Sequence, residues 1–172
     1  MPDPSESLYR AARRAFIAAC DAAHIDAIAR LNPAKTDGKP LFMDAAAIGP
    51  RLATKALMAI AADDDGSAIA IALLKDKITP PPDTRLVLVH ALDPAAFAGV
   101  EGDPAWPATM LAAVAREDMA RVTHPVVLPL GGAAAAQRTA QASAQLQTPV
   151  TILPSAANLA EAKAAIAAFF AG

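Results

Sequence analysis

The stretch that decides the fold is residues 56–74, ALMAIAADDDGSAIAIALL. Residues 56–62 are apolar throughout, which predicts a central strand covered on both faces of a sheet. After three aspartates, apolar side chains recur with a helical period from Ser67 to about Lys77. Gly66 and Ser67 are the expected N-terminal cap of this helix. The stretch therefore predicts a strand–turn–helix unit with an acidic turn.

The segments before this unit predict a helix and a β-hairpin. Residues 7–24 place apolar side chains, Phe16 and Cys20 among them, along one side of a helix. Residues 24–32 and 41–49 predict two strands, and the Asp-Gly pair within residues 34–40 suits the tight turn between them.

The segments after the unit continue the alternation of strands and helices. Strands are predicted at residues 85–92, 124–132 and 148–153, and helices at residues 107–121, 133–146 and 157–170. We therefore predict a single α/β domain over residues 1–172, with a mostly parallel, mixed sheet between two helical layers. Right-handed crossovers bring the strand-to-helix loops to one edge of such a sheet, where ligands bind. The loops at that edge are residues 62–67, 90–97 and 130–133.

Composition argues against several classes of function. The net charge is −2 and aromatic residues make up 4% of the 172 residues, so neither a basic face nor a base-stacking platform for nucleic acid is expected. No apolar run approaches the length that spans a membrane, and the first residues do not resemble a secretory signal. We expect a cytoplasmic protein without a nucleic-acid or membrane partner. The single cysteine, Cys20, is expected to be a buried helix residue.

Asp63, Asp64 and Asp65 follow the central strand and precede the predicted helix. Carboxylates at a helix N-terminus are stabilised by the helix dipole and by free backbone N–H groups, and this structural role is the simplest explanation for them. The alternative is a site for Mg²⁺ or Ca²⁺, which take oxygen ligands. Asp63 and Asp65 are the candidate ligand-binding residues of this turn.

His90 and Asp93 stand three residues apart at the end of the fourth predicted strand. Such a pair can ligate a metal, or it can act as a base with an orienting carboxylate. A structural histidine and an Asp-Pro turn explain the same residues. His124 is predicted at the opposite end of the sheet, and His24 at a helix end, so neither is a catalytic candidate.

Gly131 and Gly132 lie between the fifth predicted strand and the following helix. Backbone N–H groups at such a junction can hold a phosphate or an oxyanion. The same glycines are also explained by a tight turn. No phosphate-binding motif, nucleophile elbow or metal cluster of known spacing accompanies them, and no cofactor is predicted.

Four segments resemble a bacterial group of zinc carboxypeptidase-like proteins, the peptidase M14 relatives that carry domain of unknown function 2817. They are YRAARRAFIAACDAAH (9–24), NPAKTDGKPLFMDAAAIGP (32–50), AIALLKD (70–76) and TRLVLVHALDPAAFAG (84–99). Their order and spacing agree with the group over residues 8–99. The resemblance implies a carboxypeptidase-like core in shortened form.

The resemblance also exposes what this chain lacks. The family carries His-Gly-x-Glu-Gly after its third strand, with His and Glu as zinc ligands, whereas this chain reads ADDDGSA at residues 62–68. The family's Asn-Arg pair that binds substrate is replaced by EGDPAWPATM at residues 101–110. An open zinc site needs three protein ligands, so the loss of two removes it.

Three functions follow from these observations. The first is a non-catalytic relative of the zinc peptidases, a pseudoenzyme kept as a binding or assembly module, with a protein partner or a homo-oligomer. The second is a hydrolase with a rebuilt site that uses Asp63 or Asp65 together with His90 and Asp93. The third is a small-molecule or anion binder at Gly131 and Gly132. The missing zinc ligands favour the first.

Overall fold

The apolar run that opens the deciding stretch forms the strand at the centre of the sheet. The computed structural model describes residues 14–23, 27–30, 43–50, 53–61, 64–91, 122, 124–133, 137, 139 and 150–172. In chain order the elements are α1 (residues 14–22), β1 (Ala27–Arg30), β2 (Met43–Ile48), β3 (Lys55–Ala61), α2 (Asp64–Lys75), β4 (Thr84–Ala91), β5 (Val126–Leu130), β6 (Thr151–Ile152) and α3 (Leu159–Ala171).

The six strands form one mixed sheet in the order β1-β2-β4-β3-β5-β6. β1 pairs with β2, and β2 with β4, in antiparallel fashion. The pairs β4–β3, β3–β5 and β5–β6 are parallel. The predicted mostly parallel sheet with an antiparallel N-terminal hairpin is therefore confirmed.

β3 is buried on both of its faces, as its apolar sequence predicts. Successive side chains of a strand point to opposite faces, and every residue from Ala56 to Ala61 is buried. Leu57 and Ala59 belong to a core cluster that also contains Phe16 of α1, Leu73 of α2 and Ile166 of α3. Met58 and Ile60, on the opposite face, are 0% and 2% exposed. The sheet is thus covered on both sides, which agrees with the predicted three-layer α/β fold.

α2 begins earlier than the sequence analysis predicts. Its first residue is Asp64 rather than Ser67, so Gly66 and Ser67 lie within the first turn and do not cap the helix. Asp, Asn and Ser have similar N-capping strength, and acidic residues in the first turn gain from the helix dipole. The run of aspartates therefore offers a start three residues upstream, and Ser67 is buried at 3% exposure.

The last two strands are shorter than predicted. β5 covers Val126–Leu130 and β6 only Thr151–Ile152, at one edge of the sheet. Beyond β6 the chain continues beside β5 by isolated hydrogen bonds, from the Leu153 N–H to the Val127 carbonyl at 2.8 Å and from the Ala156 N–H to the Pro129 carbonyl at 2.9 Å. Pro154 stands between these two donors and has no N–H to contribute.

α3 is the closing helix that the sequence predicts at 157–170, and its bounds are nearly the same. Asn158 is its N-cap, and the Asn158 side chain accepts a hydrogen bond from the Glu161 N–H at 2.9 Å. The Glu161 carboxylate in turn accepts from the Ala157 N–H at 2.8 Å. This pattern is a variant of the capping box in which the carboxylate accepts from the residue before the N-cap, and it defines where the helix begins.

Other predicted segments are only partly tested. Residues 133, 137 and 139 are helical, in agreement with the helix predicted over 133–146. The predicted turn at 34–40 and the predicted helix at 107–121 lie outside the described residues.

At the amino edge of the sheet, Asp83 joins the segments that lead into β3 and β4. Asp83 has a left-handed backbone (φ 62°), and its carboxylate accepts hydrogen bonds from the Thr54 N–H at 3.0 Å and from the Thr54 hydroxyl. The hydroxyl bond, then the N–H bond, and to a lesser extent the charge of Lys55 lower the pKa of Asp83 below its usual 3.8. The Lys55 N–H also donates to the Asp83 carbonyl at 3.2 Å.

The turn after β5 requires glycine at only one of its two glycine positions. Gly131 has φ 115°, a conformation that side chains rarely adopt, and its N–H donates to the Ala156 carbonyl at 2.9 Å. Gly132 does not have a positive φ, and a Cβ placed on it meets no atom of the described residues within 4 Å. The tight-turn role expected for both glycines therefore applies to Gly131 alone.

Substitution of Asp83 tests whether this residue stabilises the protein by joining the segments that lead into β3 and β4. Because its pKa is lowered in the folded protein, ionised Asp83 stabilises the fold above its unfolded pKa of about 3.8. That contribution is lost as the pH falls through the lower folded value. Asp83→Ala should lower the midpoint of thermal unfolding at pH 7, and Asp83→Asn should lower it less, since asparagine tolerates the left-handed backbone and still accepts from Thr54. The gap between wild type and Asp83→Asn should narrow between pH 5 and pH 3, and a constant gap would contradict the assignment.

Paired glycine variants test the turn after β5. Gly131→Ala should reduce the free energy of unfolding by about 1–3 kcal/mol, because alanine must then occupy a strained backbone. Gly132→Ala is the control and should be neutral or stabilise by up to about 1 kcal/mol, since it removes freedom from the unfolded chain. Urea unfolding measures both, and equal losses from the two variants would show that the turn is not specific to Gly131.

Candidate functional site

The acidic turn at the end of β3 is very short. β3 ends at Ala61 and α2 begins at Asp64, so only residues 62 and 63 connect them. Asp65 lies in the first turn of α2 and is exposed. Asp63 lies outside the described residues. Carboxylates in this first turn face the positive end of the helix dipole, which is the structural role expected from the sequence.

The register of the sheet places His90 beside the end of β3. His90 is the residue before the last in β4, and its position pairs with that of Ala61 in β3. Ala61 pairs on its other side with Leu130, the last residue of β5. The ends of β4, β3 and β5 therefore stand in one row at the carboxyl edge, as the parallel topology predicts. Asp93, the expected partner of His90, lies outside the described residues.

An aspartate stands next to His90 in the register of the sheet, and it is not among the candidates predicted from the sequence. Asp44 of β2 pairs with His90, and Arg30 of β1 pairs with Asp44. Residues at paired positions of neighbouring strands share a face of the sheet. Asp44 lies in the family-like segment 32–50, but only the hairpin register brings its position beside His90.

The glycine junction after β5 is less open to an anion than its sequence suggests. The Gly131 N–H already donates to the Ala156 carbonyl, so this group is committed within the fold. Gly132 is partly exposed and adjoins the helical residue 133. Of the two glycines predicted to hold an anion, Gly132 is therefore the better placed.

The residues set aside in the sequence analysis behave as structural residues where they are described. Cys20 is a buried cysteine of α1 that is 1% exposed. His124 precedes β5 at the amino edge, as predicted, and its Nε2 lies 2.6 Å from the Thr151 Oγ1. His24 lies outside the described residues.

The described residues contain neither a metal-binding cluster nor a helix that could span a membrane. Among those residues no group of three or more His, Cys, Asp or Glu side chains is placed to hold a metal ion. None of the helices in the same set is both long and apolar enough to cross a membrane.

An open groove of about 710 Å³ lies between β6 and α3. Its apolar lining comes from Val126, Leu153, Ala164, Ala165, Ala168 and Phe169, among others. Its polar lining comes from Thr151, Ser155 and Glu161. Volumes of roughly 300–1,000 Å³ are typical of small-molecule sites. This groove is not visible in the sequence, since alanines in a helix are equally compatible with tight packing.

Comparison with solved structures finds a distant similarity to the esterase LipW from Mycobacterium marinum. The identity is 16% and the TM-score 0.47, over 84% of this chain and 48% of that chain. The chain thus spans about half the length of that esterase. A search of curated proteins finds no match.

A family model gives a more direct result. The model described as "Protein of unknown function (DUF2817)" matches residues 6–100, which is more than half of the chain. The match contains α1, the hairpin, β3, α2 and β4, and it agrees with the segments 8–99 on which the resemblance rests. The chain belongs to the DUF2817 family.

Proposed function

We propose that this chain is a non-catalytic relative of the M14-type zinc carboxypeptidases and acts as a cytoplasmic binding or assembly module. The observation that carries the proposal is the connection between β3 and α2. In the zinc peptidases that the chain resembles, His-Gly-x-Glu-Gly follows the third strand. Here residues 62 and 63 alone lead into α2, and residues 62–68 contain neither histidine nor glutamate.

The ligand chemistry supports this proposal. Catalytic zinc is held by three protein ligands, usually histidines and a carboxylate, with a fourth position open for water. A short acidic turn supplies only hard oxygen ligands, and its first helical residues already interact favourably with the helix N-terminus. A scaffold of this kind can keep its buried sheet while losing the hydrolytic site, because the core is formed by apolar side chains and not by the ligands that the turn would carry.

Metal content and peptidase activity test the non-catalytic proposal. We expect purified protein, loaded with zinc and dialysed, to retain well under one zinc per chain. We also expect no hydrolysis of blocked dipeptides that carry a free C-terminal carboxylate. Elemental analysis and a chromatographic assay measure the two. Stoichiometric zinc that is lost in His90→Ala, together with peptidase turnover, would overturn the proposal.

The oligomeric state tests the assembly part separately. An assembly module should sediment as a defined oligomer at micromolar concentration. A clean monomer in sedimentation velocity would remove the homo-oligomer from the proposal and leave only binding to another molecule.

A hydrolase with a rebuilt site is the second candidate, and the register at the carboxyl edge favours it. Asp44 and His90 occupy paired positions, and a carboxylate next to an imidazole can fix its tautomer and stabilise its protonated form. This pairing offers the rebuilt site a carboxylate other than Asp93. Asp65 lies in the first turn of α2, just after the end of the neighbouring strand β3.

Matched variants separate the rebuilt hydrolase from the binding module. If the second candidate holds, turnover of an ester or peptide substrate should fall by at least 100-fold in His90→Gln and in Asp44→Asn, which is the scale of one general acid–base group. Asp21→Asn is the control, because Asp21 is exposed on α1. Turnover that is unchanged in His90→Gln would exclude this candidate.

A further inference from the structure

The groove between β6 and α3 is open because of the residues that α3 directs into it. Ala164, Ala165 and Ala168 line it along the helix, with Phe169 beyond them. Ala162 and Ile166, on another side of the same helix, are buried in the core. The helix is thus held to the protein by one side, while short side chains on the adjacent side leave room for another molecule.

The opposite wall of the groove is also largely apolar. Val126 of β5 and Leu153, just beyond β6, both line it. Leu153 is held in place by its backbone bond to Val127. An apolar body in this groove would therefore exchange water for hydrocarbon on two sides, which is favourable for each methylene that is covered.

The polar groups of the groove lie near its two ends. Thr151, in β6 near the amino edge of the sheet, has its hydroxyl beside His124. Ser155 and Glu161 lie where the chain turns from the sheet into α3. Because the Ala157 N–H donates to one oxygen of Glu161, the carboxylate is held at the mouth of the groove by the capping box.

The charge at this end is negative. Glu161 carries a full negative charge, whereas a helix N-terminus is equivalent to about half a positive charge. The nearby Lys163 is paired with Asp76 and is not among the residues that line the groove. A cation is therefore the complementary partner of this end.

We propose that the groove binds an amphipathic cation, an ammonium group on an unbranched apolar chain, with the ammonium at Glu161 and Ser155 and the chain along the alanines of α3. This site shares no residue with the carboxyl-edge positions Asp65, His90 and Gly131, and it holds whether or not the proposed function does. Carboxylates with an apolar chain of the same length are repelled by the negative charge of Glu161 and therefore bind less well.

Calorimetric titration with hexylamine, octylamine and decylamine, below their aggregation concentrations, tests the proposal on the full chain. Each methylene that enters the groove should tighten binding by up to about 4-fold. Octanol and octanoate are the matched probes without positive charge. Because the Glu161 carboxylate is exposed, octylamine should bind only about 2- to 5-fold more tightly than octanol.

Two pairs of variants locate the site. Ala164→Phe fills the groove and should abolish binding, whereas Ala167→Phe, at an exposed α3 position that does not line the groove, should not. Glu161→Gln keeps an oxygen for the Ala157 N–H, so the capping box survives while the charge is lost. This variant should bind octylamine and octanol equally, and circular dichroism confirms that each variant is folded.

The remaining outcomes overturn the proposal. No binding of any amine, affinities independent of chain length, or equal effects of the two phenylalanine variants each exclude this groove as the site. Octanoate binding as tightly as octylamine excludes a cationic ligand.

Discussion

β3 is hydrogen-bonded to a parallel neighbour on each side, and its side chains are buried on both faces. Polarity cannot set the register of such a strand, because a shift by one residue exchanges one apolar face for another. Its register is therefore left to the packing of side chains of unequal size and to the polar residues at its ends. At one end Thr54 is bound by the Asp83 carboxylate, and at the other Asp64 begins α2 after two residues. Both ends are polar, and the carboxyl end adjoins the row in which Ala61, His90 and Leu130 stand.

The sequence predicts those parts of the fold whose causes are local. An unbroken apolar run, an Asp-Gly pair and the alternation of strands and helices are sufficient for the class of sheet and for its hairpin. The position of β4 between β2 and β3 is not visible in such patterns, because it depends on which neighbour each crossover reaches. The sequence predicts the start of α2 three residues too late, because Asp and Ser are capping residues of similar strength within one short segment.

The candidate sites also divide into those that a local sequence pattern reveals and those that only the folded structure reveals. The turn after β3 could be selected from the sequence, since three successive aspartates between an apolar run and a helical pattern are a local signal. The position of Asp44 beside His90 could not be read from the chain, because it requires the register of two strand pairs at once. The groove beside α3 was equally hidden. Alanine favours a helix in any surroundings, and only the packing of α3 shows which alanines face an opening.

The short edge strand β6 affects how readily two copies of this protein can pair edge to edge. An edge strand exposes unpaired N–H and C=O groups that can template intermolecular β-pairing and aggregation. Here the edge has two residues of ladder, and Pro154 interrupts the donors that follow. Another chain would find few successive hydrogen-bond partners along the described part of this edge. The shortness of β6 thus disfavours intermolecular β-pairing at this edge. A specific contact on this side would have to use side chains instead of backbone groups.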